Sequence, residues 1–327
     1  MLYLLYLAPI ASFFVTLFAT KTLIRYLKRV ELVVKDQNKE NKPLVPISGG
    51  LAVMSGILIG LMMYIFILTF IYKEGTQIEE ILAVLATIMI ITFVGFMDDL
   101  IINKTKDSSQ GLKQWQKPLL TLTAAIPLMV INAGTSQILV PFFGVVDIGL
   151  IYPLLLIPIG VVGASNMVNM LAGMNGLEAG MGFIYIGSLG LFAYVNKRPV
   201  AAAIAAIVFG AVLAFLYFNK HPAKILPGDS LTYLLGASLV CIAVIGNLEK
   251  AAIISSIPFF VEFVLKSRSK FKARSYGYYD HGKIHSYHDK IYSLIHIFTI
   301  KPGFTESQIT LIFIGIQIIF SGLIWII

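Results

Sequence analysis

The chain has 327 residues, of which 57% are hydrophobic and only 13% charged, with a formal net charge of +8. Soluble domains carry about twice that share of charged residues, so lipid must be the solvent for much of this surface. The positive balance lacks the basic face interleaved with aromatics that a nucleic-acid-binding domain presents. The single cysteine, Cys241, excludes an internal disulfide framework and a multi-cysteine zinc site and reads as a small buried apolar residue.

Ten apolar segments are predicted as helices, because about 20 apolar residues span a bilayer and an open sheet cannot satisfy its backbone in lipid. The first, Leu2–Ala19, has no basic residue before it and no small-residue cleavage site after it, so it reads as a retained span. The loop that follows carries Asp36-Gln-Asn-Lys39 and Pro46-Ile-Ser-Gly-Gly50. Segments two and three, Leu51–Phe70 and Ile81–Phe96, lead to Asp98-Asp99 and a Lys-rich stretch ending at Lys117. Segment four is Pro118–Ile131; beyond it, Ile138–Gly149 alternates apolar residues around a central glycine and predicts a short β-hairpin.

Segment five, Ile148–Ser165, runs into SNMVNMLAGMNGLEAG at Ser165–Gly180. Segments six and seven, Leu177–Val195 and Val200–Phe218, precede the turn Pro227-Gly-Asp-Ser230. Segments eight and nine, Leu231–Gly246 and Ala251–Leu265, precede a long basic loop, Lys266–Lys301, and Ile309–Ile327 is the tenth. The fourth, sixth and ninth are short, and one of them could be re-entrant. The loops after the odd-numbered segments, with the adjoining helix ends, hold 21 of the 25 Lys and Arg. By the positive-inside rule this set faces the cytoplasm and both termini lie outside. The expected architecture is an all-α membrane protein, one polytopic domain over residues 1–327, with its unusual polar clusters gathered on the cytoplasmic face of a cell membrane, or of the endoplasmic reticulum in a eukaryote.

Adjacent carboxylates at a helix end, Asp98 and Asp99, suit a Mg²⁺-phosphate site, since Mg²⁺ takes one or two carboxylates plus phosphate oxygens; solvated helix-end acids are the plainer reading. Asp229 adds a third carboxylate from a distant loop, or simply forms a turn. Asn166 and Asn169 share a helix face and, with Asn175 and three glycines, could read a uracil edge or hold a metal; interhelical polar contacts would also use them. Lys117 and the run Lys266–Arg274 are topogenic anchors or phosphate contacts. His281, His285, His288 and His296 share the last loop without a zinc-protease spacing, which suggests an amphipathic stretch on the membrane surface. Glu262 lies at membrane depth with no partner evident in the sequence.

Together these motifs resemble the polyprenyl-phosphate N-acetylhexosamine-1-phosphate transferase superfamily over essentially the whole chain. NMLAGMNGLEAG and KPLLTLTAAIPL look like the dolichyl-phosphate GlcNAc-1-phosphotransferase branch, whereas the bacterial branch has aspartates in place of Ala172 and Asn175. The resemblance implies a Mg²⁺-dependent enzyme, with Mn²⁺ as a substitute, that moves a sugar-1-phosphate from a UDP-sugar to a polyprenyl or dolichyl phosphate. It implies catalytic roles for Asp98, Asp99 and Lys117, metal binding by Asn169 and Asp229, and nucleotide contacts from Asn166, Asn175 and Lys39. Arg274 is implied as a sugar or phosphate contact, and a homodimer is compatible with it. Ile47 departs from an acidic position of that branch, Asn103 cannot be matched across a longer loop, and the consecutive histidines of the bacterial translocase are absent. An undecaprenyl-phosphate transferase of cell-wall synthesis is the alternative, and an ion-coupled transporter a more distant one.

Overall fold

The computed structural model describes residues 2–105, 111–131, 136–140, 144–301 and 303–326. Among the described residues, eight helical stretches are long and apolar enough to cross a membrane, and the chain is a multi-pass membrane protein. They are built on α1 (Leu7–Arg29), α2 (Gly50–Phe66), α3 (Ile78–Thr105), α6 (Ile157–Met170), α7 (Leu177–Val195), α8 (Pro199–Asn219), α9 (Gly228–Gly246) and α13 (Glu306–Leu323).

The other two apolar segments are helical but broken. The fourth comprises α4 (Gln116–Leu122), a 3₁₀ turn and α5 (Ile126–Val130). Its 15 residues, 116–130, rise only ~23 Å at 1.5 Å each. The ninth is split into α10 (Glu249–Ser255) and α11 (Ile257–Ser267). Pro258 at the start of α11 lacks an N–H and crowds the carbonyl four residues back, so one straight helix cannot pass through it.

Helix α9 is the axis of the bundle, with 89% of its apolar window buried. It packs against α3, α6 and α2 at backbone distance. A methyl on Gly236 would lie 2.5 Å from the Ala164 carbonyl carbon, and one on Gly95 would strike the Asp229 carbonyl. Small residues replace side-chain packing here because lipid supplies no hydrophobic force between helices. This contact delivers the end of α3 to the start of α9.

Three antiparallel hairpins decorate the bundle. β3 (Gln137–Val140) pairs with β4 (Gly144–Asp147), placing strands within the segment where the alternation predicts a hairpin; its residues 141–143 lie outside the described part. Two more were not apparent from sequence: β1 (Val33–Lys35) with β2 (Leu44–Pro46), and β5 (Tyr278–Asp280) with β6 (Lys283–His285). The last basic loop is therefore a folded arch carrying a hairpin and a one-turn helix, α12 (His296–Thr299), where the sequence suggested a surface-lying amphipathic stretch. Cys241 is buried and free, as expected of a small apolar residue.

Candidate active site

Helices α3, α4, α6 and α9 bring four predicted residues into one ionic cluster. The Lys117 ammonium, at the start of α4, lies 2.6 Å from Asp98 Oδ2 and 2.7 Å from Asp229 Oδ2. Asn169, in the last turn of α6, donates from Nδ2 to the same Asp229 oxygen at 3.1 Å and accepts from Thr232 Oγ1 at 3.1 Å. Asp98 is fully buried; its Oδ1 accepts the Leu112 N–H at 2.5 Å and its Oδ2 the Tyr233 hydroxyl at 3.4 Å.

Asp99 is also fully buried, and it points elsewhere. Its Oδ1 accepts the Asp229 N–H at 2.7 Å and its Oδ2 the Ser230 N–H at 3.3 Å. These amides belong to the first turn of α9, where N–H groups have no partner within the helix and the helix dipole favours a negative charge. Asp99 thus serves as a cap delivered from 130 positions away. Gly228, at φ +69°, lets the turn pass over it, and a methyl there would strike the carboxylate.

Asp98, Asp99 and Asp229 set three carboxyl groups near the ammonium of Lys117. Buried charge without compensation is costly, so the cluster is built to receive a further cation or a proton. Among the described residues no three His, Cys, Asp or Glu side chains converge as a metal-binding group. Mg²⁺ needs fewer, since it keeps waters and takes substrate oxygens. Asp229 and Asn169 both face the cavity described next, and turning the Asn169 amide, whose O and N are interchangeable in shape, would present a carbonyl oxygen beside the carboxylate. The donor set therefore fits a Mg²⁺ ion.

A cavity of about 2150 Å³ opens on this cluster. At one end it is lined by Asp36, Lys117, Asn169, Asn175, Asp229 and Arg274; from there it follows α6 and α9 to Tyr152 and Glu249. Its long wall is apolar: Ile157, Leu239, Val240, Val244 and, from α10 and α11, Ile253 and Phe260. Pockets for drug-sized ligands fill ~300–1,000 Å³, so this one suits a small polar ligand together with a long apolar one.

The remaining predicted residues sit around the polar end. Asn166 lines the cavity and donates to Thr121 Oγ1 at 3.1 Å and to the Val162 carbonyl at 2.8 Å. Asn175 belongs to a second cluster, donating to Asp36 Oδ2 at 3.2 Å and accepting the Ala223 N–H at 2.9 Å. Lys39 is ion-paired to Asp36 at 3.4 Å and to Glu306 at the start of α13. Arg274 places its guanidinium 5.8 Å from the Tyr276 ring centre and 6.0 Å from that of Tyr287.

Glu262 has partners that the sequence did not reveal: Leu294 N–H at 2.7 Å and the Lys266 ammonium at 3.9 Å. His281 lies 2.6 Å from Asp280, and His285 stacks on Tyr278. Ile47 is buried at the cavity wall. Asn103 lies in α3, with its side chain outside the described part.

Sequence reasoning missed Asn38. Its Nδ2 donates to the Gly173 carbonyl and its Oδ1 accepts the Gly277 N–H at 3.3 Å, tying three loops together. Glu306, which receives Lys39 and the Asn175 N–H, was also missed. Only its place as the first residue inside a Thr-x-x-Gln capping box could have suggested it; Thr305 and Gln308 form that box.

The model of glycosyl transferase family 4 matches residues 81–247, which hold Asp98, Asp99, Lys117, Asn169 and Asp229. The chain belongs to this family. Two family 4 relatives cover nearly all of it. One, from Saccharolobus solfataricus, is 35% identical over 95% of this chain and 92% of its own length. The other, from Sulfolobus acidocaldarius, is 34% identical over 96% and 93%. Both are provisionally named UDP-N-acetylglucosamine–dolichyl-phosphate N-acetylglucosaminephosphotransferases. A phospho-N-acetylmuramoyl-pentapeptide-transferase of Halalkalibacterium halodurans is 29% identical over 98% of this chain and 96% of its own.

Proposed function

We propose that the chain transfers N-acetylglucosamine-1-phosphate from UDP-N-acetylglucosamine to a dolichyl or related polyprenyl phosphate, releasing UMP. The observation that carries this reading is the junction of the Asp98–Lys117–Asp229 cluster with a long apolar groove along α6 and α9. A charged head and a prenyl tail need that junction. A soluble sugar-nucleotide enzyme has no use for the groove, and an ion-coupled transporter would place its charges near the bilayer centre. The names of the two relatives at 35% and 34% identity support the same substrates.

A phosphate oxygen of the prenyl carrier attacks the β-phosphorus of the sugar nucleotide; the bond from that phosphorus to the bridging oxygen breaks, and UMP departs with the electron pair. A phosphate dianion is already nucleophilic at neutral pH, so the protein supplies position and charge rather than a base. Lys117 is the ammonium for the diphosphate, held in place by Asp98 and Asp229. Asp99 acts indirectly, by fixing the turn that carries Asp229. Asn169 and Asp229 would hold Mg²⁺, which supplies charge neutralisation at the phosphates when bound. Asn166, Asn175 and Lys39 flank the nucleotide, and Arg274 meets the sugar phosphate. The excess of Lys and Arg in one set of loops supports a cytoplasmic site in a cell membrane.

The test is transfer of radiolabelled sugar from UDP-N-acetylglucosamine to dolichyl phosphate by the purified chain in detergent, with and without Mg²⁺. Labelled lipid formed with UMP and lost on chelation supports both the reaction and the metal. Transfer only from another UDP-sugar would move the substrate and keep the chemistry. No transfer from any UDP-sugar to any prenyl phosphate, in protein shown to be folded, would overturn the reading.

A further inference from the structure

Two buried or half-buried histidines of the last loop touch neither the Lys117 cluster nor each other's ring nitrogens; both touch the main chain of Arg274. His288 Nε2 receives the Arg274 N–H at 3.3 Å. His296 Nε2 lies 2.8 Å from the Arg274 carbonyl, which can only accept, so that nitrogen carries a proton. The Nδ1 of His296 faces the Tyr292 N–H at 3.1 Å. The rings sit 5.3 Å apart, centre to centre, on the two sides of one residue.

We propose that His288 and His296 are positioning residues, gripping the backbone on either side of Arg274 so that its guanidinium is held at the cavity edge for a phosphate of the sugar nucleotide. This deepens the function proposed above and rests on it for the identity of the ligand. The arch needs such a grip because its strands are short. It is seated elsewhere by Ser275, which donates to the Met170 carbonyl at 2.8 Å, and by Lys266, which donates to the Ala273 carbonyl at 2.6 Å. Tyr276 and Tyr287 flank the guanidinium, but ring faces constrain direction weakly.

The two grips differ in their response to acid. His296 donates, so a protonated ring keeps its bond to the carbonyl. His288 accepts with Nε2, so protonation replaces its lone pair by a hydrogen and breaks the bond to Arg274. Burial, then the nearby Lys266 and Arg274 charges, hold His288 below the usual histidine range against the opposing Asp289. Burial lowers His296 as well, and His288 and Lys266 add to this, while the Arg274 and Lys290 backbone contacts oppose it. Glu262, on α11, is paired to Lys266. With folded values depressed, the grip of His288 is complete above the ordinary histidine value of ~6.5 and is lost as the pH falls through its folded value.

The experiment compares wild type, His288→Ala, His288→Gln and His296→Gln in detergent, using UDP-N-acetylglucosamine and dolichyl phosphate. His288→Ala should raise KM for the sugar nucleotide about tenfold, the loss expected for one positioning hydrogen bond, and leave KM for the lipid unchanged. His288→Gln, whose amide oxygen accepts without titrating, should stay within roughly twofold of wild type and hold its sugar-nucleotide KM to lower pH. His296→Gln keeps a donor and should behave like wild type. Hydrogen exchange at the Arg274 amide is read in the same proteins and needs no turnover: protection should vanish in His288→Ala and persist in His288→Gln. A wild type that transfers nothing would sink the proposed function, and amide exchange would still decide the grip. Equal exchange in wild type and His288→Ala, or a Gln variant as impaired as the Ala variant, overturns the proposal.

Discussion

Replacing Lys117 by Met keeps the length of the side chain and removes the one ammonium between Asp98 and Asp229. Each contact, at 2.6 and 2.7 Å, is worth ~6 kcal/mol in gross Coulomb energy at the effective dielectric of a protein boundary. Desolvation cancels much of that, and breaking a buried pair by removing one partner costs about 3–5 kcal/mol. The Lys117 side chain is 21% exposed, and a carboxylate that loses its partner takes up a proton, so a loss near ~3 kcal/mol is expected. In a thermal melt of a 327-residue chain that corresponds to a fall of roughly 4–5 °C. Turnover should drop further, by ~10²–10³, the usual effect of losing one group that stabilises developing charge. The double variant Asp98→Asn/Lys117→Met separates the two effects. A neutral amide at 98 needs no counter-ion, while Asp229 still lacks its ammonium, so part of the stability should return while activity does not. A Lys117→Met protein that melts like wild type and turns over normally, or a double variant no more stable than the single one, would refute this account of the cluster.

Other outcomes follow from the same geometry. Asp99→Asn puts an amide NH₂ against one of the two α9 N–H groups, which should cost about 1–3 kcal/mol; the melt and the activity should fall together, whereas normal stability with no activity would mean that Asp99 reacts directly. Asn38→Ala frees the three-loop junction, so hydrogen exchange should rise around both Gly173 and Gly277; a rise at one alone would contradict a shared anchor. Gly163→Leu fills the groove where a new Cβ meets only Met167 Cε at 3.6 Å. It should raise KM for dolichyl phosphate several-fold, on the order of 1 kcal/mol of lost burial, with KM for UDP-N-acetylglucosamine unchanged, as a dual titration would show.

Most of the long helices and the residues of the Lys117 cluster were legible because their signals are local and chemically unusual. An Asp pair closing an apolar run, a Lys opening the next and an Asn-x-x-Asn turn can be seen without knowing what touches what. Asp99 illustrates the limit: sequence makes it the twin of Asp98, and only the close approach of α3 and α9 at Gly95 turns it into a cap. Asn175 and Lys39 read as ligand contacts, but the partners that hold them, Asp36 and Glu306 respectively, lie more than 100 positions away and cannot be read from the sequence. The β1–β2 and β5–β6 hairpins escaped because strands of three residues give too few alternations for a period to emerge. Pro258 was visible, but its effect depends on whether neighbours hold the two half-helices in line.

The wall of the groove includes Ile159, Ile253 and Phe260, each of them well exposed. If these side chains meet the surrounding lipid, a tail lying there stays open to the membrane, and the acceptor would reach the head by sliding sideways within it. Its effective concentration is then a mole fraction of the bilayer or micelle. Adding detergent at constant acceptor should slow the reaction by two-dimensional dilution, while the water-borne donor feels only the volume of the tube.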